Sequence, residues 1–131
     1  MSEEFRHRLR VRYGECDPQG VVYFANYPAY VDIGMTELWR ERIGPYNDMV
    51  EAGSDMVVAE LTLRYRGSAV FDDELDVVIG VEKLGETSLV CAWRIERDGD
   101  VLVEGSIRQV CIDPATKSKK PLPPDVRAAL A

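Results

Sequence analysis

Residues 13–27, YGECDPQGVVYFANY, lie where the periodicity of the chain changes, and their reading decides the fold. Upstream, Phe5, Leu9, Val11 and Tyr13 fall at even spacing with arginines between the last three, the alternation of a half-buried strand over residues 5–13. Downstream, Phe24, Tyr27, Val31, Met35 and Leu38 follow at steps of three and four, one face of a helix that Tyr30 and Trp39 widen. Gly44 and Pro45 stop it, so the spacing predicts a helix over 27–43, roughly 25 Å long and able to cross a small sheet. The segment between strand and helix must turn sharply. Pro18 fixes one φ there, and Gly20 admits backbone angles closed to other residues.

Past a polar stretch at 47–55 the period returns to two and stays there. Ala59, Leu61, Leu63 and Tyr65 alternate with polar residues; Leu75, Val77, Ile79 and Val81 follow, then Leu89, Cys91, Trp93 and Ile95, then Val101, Val103, Gly105 and Ile107. That makes four more strands. Asp98-Gly99 is a strong hairpin signal, because both central residues of a type I′ turn need positive φ; LGE at 84–86 is a weaker one. Tight connections make neighbouring strands antiparallel. The order predicts an α+β fold, one antiparallel five-stranded sheet packed on a single long helix. Open sheet edges invite pairing with a second copy, so a homodimer or homotetramer is expected.

Composition bounds the rest. At 131 residues and 46% hydrophobic composition, one domain over 1–131 is expected, with 114–131 a polar, lysine-containing tail. No stretch approaches the roughly 18–20 apolar residues of a membrane helix, and the N-terminus is charged, so a cytoplasmic protein is expected. Cys16, Cys91 and Cys111 show no C-x-x-C spacing and suggest neither a disulfide framework nor a zinc site. A net charge of −7 disfavours nucleic-acid binding, so any anionic ligand must be held locally.

Asp17-Pro18, Gly20, the pair Tyr23-Phe24 and Asn26-Tyr27, followed by a helix beginning PAYVDIGMTELW, resemble the hotdog-fold acyl-CoA thioesterases of the 4-hydroxybenzoyl-CoA thioesterase type. The resemblance runs roughly from Leu9 to Ile112. It implies a sheet wrapped around one long helix, and hydrolysis of an acyl- or aroyl-CoA with no cofactor beyond the coenzyme A of the substrate and no metal. It also implies that Asp17 is the catalytic carboxylate, as nucleophile or as general base for water, and that the Phe24 backbone N–H polarises the thioester carbonyl. Pro18 and Gly20 would shape the loop. Physical chemistry agrees: a helix start offers unpaired N–H groups and partial positive charge to a developing oxyanion. Aspartate side chains ordinarily titrate near about 3.9, so this residue type is ionised at neutral pH without a basic partner.

Plainer readings stand beside these. Asp-Pro-x-Gly is also an ordinary turn, and an aspartate ahead of a helix is often a cap. Glu15 reads as a solvated carboxylate at a strand end. Cys16 lacks a base, since the sole histidine, His7, lies in the first strand. Glu37 on the helix is a fallback base, though with Asp32, Thr36 and Glu41 it reads as the polar face. Tyr23, Tyr27 and Val31 are candidates for an acyl pocket. The basic turn that holds the nucleotide in the 4-hydroxybenzoyl-CoA enzyme is reduced here to Lys83 in EKLGETS, with Arg64 and Arg66 as substitutes for phosphate contact. A carrier-protein thioester, or an acyl-thioester-binding domain without turnover, are the alternatives.

Overall fold

The computed structural model describes residues 3–131. Its first strand, β1, runs Phe5–Arg10 and is followed by a 3₁₀ turn at Tyr13–Glu15, a second at Phe24–Asn26, and the long helix α1, Tyr27–Arg42. Pro28 opens α1, where its missing N–H costs nothing, and the Gly44 N–H closes the other end on the Trp39 carbonyl at 2.9 Å before Pro45. The periodic stripe is the buried one: Tyr27, Tyr30, Val31, Met35, Leu38 and Trp39 face the sheet. Gly34 lies on that face too, and a Cβ there would stand 2.6 Å from Val77 Cγ1, so the missing side chain lets α1 settle directly on the sheet.

A short helix, α2 (Tyr46–Glu51), leads into β2 (Asp55–Tyr65), β3 (Glu74–Leu84), β4 (Ser88–Arg97) and β5 (Asp100–Ile112). All pairings are antiparallel, in the order β1-β3-β4-β5-β2. The β4–β5 turn has φ of 51° at Asp98 and 86° at Gly99, as the type I′ signal requires. The expected single sheet on one helix is what the chain builds. Its core lies between α1 and the inner sheet face, where Leu75, Val77, Ile79, Leu89, Cys91, Trp93, Ile95 and Val103 are buried.

Three expectations need correction. The first strand stops at Arg10, and Tyr13 is 78% exposed in the turn that follows, because the Glu15 N–H on the Arg12 carbonyl and the Cys16 N–H on the Tyr13 carbonyl curl the chain into a 3₁₀ turn there. The polar stretch at 47–55 contains most of α2 and the start of β2. The segment 114–131 is not a solvated tail. Lys119 bridges to Ile112, and Pro124–Leu130 forms α3, whose Val126 and Leu130, with Leu122, are buried over the end of the core away from the 13–27 segment. Arg127 donates to the Gly85 carbonyl at 2.6 Å and Lys120 to that of Gly53 at 2.7 Å. Apolar burial of three side chains outweighs the cost of ordering a lysine-rich segment.

The outer sheet face is charged, and the charges around Asp76 and Glu96 are paired. Asp76 receives Arg6 and Arg8; Glu96 receives Arg6 and Arg94; Arg94 reaches on to Glu4. Hydrogen bonding from Arg8, against the opposing effect of burial, holds the Asp76 carboxyl below the usual range. Burial alone would raise Glu96, but the hydrogen bonds and charges of Arg6 and Arg94 outweigh it and hold that carboxyl low too. A carboxyl with a depressed folded-state pKa stabilises the fold above its unfolded value and loses that contribution as pH falls through the folded one. Thermal unfolding should therefore be insensitive to these groups from pH 7 to about 5 and turn down below about pH 4, with the downturn blunted in Glu96→Gln. An identical acid profile for parent and variant would remove Glu96 from the account.

Candidate active site

The segment between β1 and α1 folds as a small antiparallel ladder. The Tyr23 N–H donates to the Glu15 carbonyl at 3.0 Å, Cys16 bridges Val22, and the Asp17 N–H donates to the Val21 carbonyl at 2.9 Å. Its tip is Asp17-Pro18-Gln19-Gly20, closed by the Gly20 N–H on the Asp17 carbonyl at 2.9 Å with Gly20 at φ 81°. Asp first, Pro second and Gly fourth are the preferences of a type I turn. Two long-range contacts fix the ladder to the body: the Val22 N–H on the Ala69 carbonyl at 2.9 Å, with Val22 buried, and the Tyr27 hydroxyl receiving the Ala69 N–H at 3.1 Å.

Asp17 is half-buried at that tip. Its Oδ1 accepts the Gln19 N–H at 2.9 Å, and no described residue bonds to Oδ2. The turn reading and the catalytic reading are thus compatible, one oxygen serving each. Phe24 opens the 3₁₀ turn that runs into α1, and its N–H has no backbone or side-chain acceptor among the described residues. Its carbonyl accepts the Tyr65 hydroxyl at 3.0 Å, which pins the helix start to the end of edge strand β2. The ladder thus carries a carboxylate at its tip and runs at its base into a helical segment whose first N–H has no acceptor among the described residues.

Around the helix start Tyr23, Phe24 and Tyr65 form an exposed aromatic cluster, with ring centroids 4.9 Å apart for the first pair and 6.4 Å for Phe24 and Tyr65. Of the residues expected to line an acyl pocket, only Tyr23 presents surface. Tyr27 and Val31 are 2% and 1% exposed within the core, because α1 turns that stripe onto the sheet. Neither of two surface grooves, about 740 and 650 Å³, is lined by Asp17 or Phe24. The first runs along the other side of the loop, past His7, Arg12, Tyr13 and Phe71.

The expected phosphate contacts divide. Arg64 and Arg66 flank Tyr65 at this end of β2; Arg66 is ion-paired with Glu104, and Arg64 has no ion pair among the described residues. Across the sheet Tyr65 is in register with Val103, Ile95 and Val77. Lys83 lies roughly 20 Å beyond that row along β3 and does not reach this end of the sheet. Glu37 is ion-paired with Arg40, whose hydrogen bond holds its carboxyl low. The Cys16 thiol faces the Arg12 carbonyl at 3.9 Å and no base. Among the described residues no three His, Cys, Asp or Glu side chains are grouped to hold a metal.

Glu15, read from sequence as a solvated carboxylate, is bonded instead. Its Oε1 accepts the Tyr30 hydroxyl at 2.9 Å and the Arg12 N–H at 2.8 Å, while its carbonyl accepts Asn26 Nδ2 at 2.8 Å. Burial, and then the adjoining Glu15 carboxylate, push the Tyr30 hydroxyl far above the ordinary tyrosine range, so it remains a proton donor. No local pattern announces this contact, since its partner is a full helical segment further along the chain.

Comparison with known proteins places this arrangement. Residues 11–130 match the thioesterase-like superfamily. The acyl-CoA thioester hydrolase YbgC of Escherichia coli O6:H1 is 31% identical over 125 residues, 95% of this chain and 93% of that protein. Among solved structures, hypothetical protein TT1821 from Thermus thermophilus is similar with TM-score 0.89 and 30% identity, covering 98% of this chain and 95% of that one. A DHNA-CoA thioesterase from Staphylococcus aureus gives 0.88 and 26%, covering 96% and 87%. Matched from the end of β1 through α3, with the same helix and sheet in both solved relatives, the chain belongs to the thioesterase-like superfamily and has the hotdog fold.

Proposed function

We propose that this protein is a thioester hydrolase that cleaves acyl- or aroyl-CoA to the free acid and coenzyme A. The observation that carries the reading is one short ladder holding, among the described residues, both an Asp17 carboxylate oxygen with no bond and, where the ladder runs into the helical segment, a Phe24 N–H with no acceptor. The Phe24 N–H receives the thioester oxygen, where partial positive charge at the helix start favours the oxyanion. Asp17 either adds to the carbonyl carbon, expelling the thiolate to leave a mixed anhydride that water hydrolyses to the free acid and the regenerated carboxylate, or takes a proton from a water that adds directly and passes it on to the departing group; in both routes the C–S bond breaks and the thiolate leaves protonated. The acyl-CoA relatives support coenzyme A as the carrier.

The site of one chain is open on the β2 side. Val57 and Val58 are 40% and 57% exposed along that edge, and Tyr23, Phe24 and Tyr65 stand beside it. A second copy pairing there covers the edge and supplies the missing wall of the acyl pocket, which makes the working unit a homodimer or a homotetramer built from it. Arg64 is the open cation on this end of β2 and the candidate contact for the coenzyme A phosphates, while Lys83 serves only a site to which another copy brings it. No helix among the described residues is long and apolar enough to cross a membrane, and we place the activity in the cytoplasm.

The test is thiol release from benzoyl-, hydroxybenzoyl-, short-chain and long-chain acyl-CoA esters. Turnover of at least one is expected. Turnover only of the acyl group on a carrier protein would move the substrate to that class, and ligand binding without release would make the domain a binding module.

A further inference from the structure

Resting on the reading of Asp17 as the reacting carboxylate, we propose that Glu15 is a positioning residue for the same reaction, clamping the loop tip to α1 through Tyr30 and Asn26. Among the described residues no other side chain bonds Asp17 to locate it; its one side-chain bond there is to the Gln19 N–H within the same turn. Its place relative to the helix start is therefore inherited from the base of the ladder. That base is Glu15. Its carbonyl holds the Tyr23 N–H and Asn26 Nδ2, and its carboxylate holds the Tyr30 hydroxyl and the Arg12 N–H. One residue thus joins the turn after β1, the loop and two points of the helical segment.

The Tyr30 contact carries the argument beyond an ordinary turn. The Arg12 bond, with the Glu15 N–H on the Arg12 carbonyl at 3.0 Å, closes the 3₁₀ turn by itself. Tyr30 is 1% exposed, and its hydroxyl, a donor across the working pH range, finds its acceptor in Glu15. Breaking the pair leaves a buried hydroxyl without an acceptor and removes the side-chain half of the loop's attachment to the helix, with the Glu15 carbonyl bonds to Tyr23 and Asn26 remaining. A reacting group displaced by about 1 Å can lose on the order of a hundredfold in rate.

The experiment compares Glu15→Ala, Glu15→Gln, Tyr30→Phe and the Glu15→Ala/Tyr30→Phe pair by steady-state thiol release and by amide hydrogen exchange. Glu15→Ala should lower kcat by roughly ten- to a hundredfold with KM within about threefold of the parent, since binding surface is untouched. Glu15→Gln, whose side-chain carbonyl accepts the same two donors, should recover to within about threefold of the parent, and the double variant should be no slower than Glu15→Ala alone. Exchange at Asp17, Gly20 and Tyr23 should accelerate in Glu15→Ala and Tyr30→Phe and return in Glu15→Gln, with the sheet unchanged. Parental kcat in Glu15→Ala overturns the proposal, as does a Glu15→Gln variant as slow as the alanine one, which would give the charge a direct part in the chemistry. Should the parent cleave no thioester at all, the functional reading falls separately. Exchange then decides the clamp alone, faster loop exchange upholding it and unchanged exchange overturning it.

Discussion

Asparagine in place of Asp17 is expected to slow turnover of the best acyl-CoA ester at least about a hundredfold while leaving thermal stability within a few degrees of the parent. The two halves of that expectation have separate causes. The asparagine side-chain oxygen accepts the Gln19 N–H as Oδ1 does at 2.9 Å, and the backbone bonds of Asp17 to Val21 and Gly20 do not involve the side chain. The turn therefore survives. The negative charge does not, and an amide neither attacks a thioester nor takes a proton from water at a useful rate. A hundredfold corresponds to about 2.7 kcal/mol of lost transition-state stabilisation. Thiol release at saturating substrate measures the first half, and a melting curve on the same preparation the second. A variant as fast as the parent would reduce Asp17 to a turn residue. Glu37 is a poor replacement, because Arg40 already neutralises it on the outward side of α1.

Alanine at Gly105 should be the most damaging single substitution in the sheet. Gly105 lies in β5 between Leu63 of β2 and Trp93 of β4. A Cβ there would stand 1.8 Å from the Thr62 carbonyl oxygen, 2.7 Å from its carbon and 2.9 Å from Trp93 Cζ2. Backbone cannot yield as a flexible side chain does, so β2 must move by more than an ångström and the ladder opens beside Leu63. The expected cost is about 3–5 kcal/mol, or more than about 10 °C in melting temperature for a chain of this size. Arg108→Ala, at an exposed position on the same strand, serves as control and should stay within a few degrees. Equal melting points for the two variants would mean that β2 and β5 do not approach as described. Because β2 also carries Tyr65 to the helix start, activity should fall along with stability.

Long, strongly periodic elements are legible in the sequence alone. The helix expected over 27–43 is Tyr27–Arg42, and the Asp98-Gly99 hairpin forms where its signal lies. What escapes does so for physical reasons. The pairing of β2 shifts register between Val58 and Glu60, so Met56 is buried on one phase while Leu61 and Leu63 pack inward on the other, and a strict period-2 reading begins only after the bulge. In α2 a single buried residue, Met49, gives no face to detect. Leu122, Val126 and Leu130 do recur at the helical step of four, but the prolines and lysines around them give a docked helix the composition of a tail. At the site, the resemblance points to Asp17 and Phe24, and the fold sets both in the one short ladder between β1 and α1. Tyr27 and Val31 read as pocket residues because an aromatic stripe at helical spacing looks alike in core and in cleft. Glu15 reads as solvated because its role depends on a partner that only the folded helix brings near.

The strand order β1-β3-β4-β5-β2 also bears on how the chain is made. β2 is synthesised before β3, β4 and β5, yet among the described residues the strand it pairs with is β5, the last of them. While the intervening hairpin is still being translated, β2 presents Val57, Val58, Leu61 and Leu63 with no strand to pair with. Partly made chains on neighbouring ribosomes then offer one another the same unpaired segment. Non-local pairing of this kind is slow and exposed to aggregation, so soluble yield during rapid expression should depend on the speed of elongation and on chaperone supply more than on the melting temperature of the finished protein.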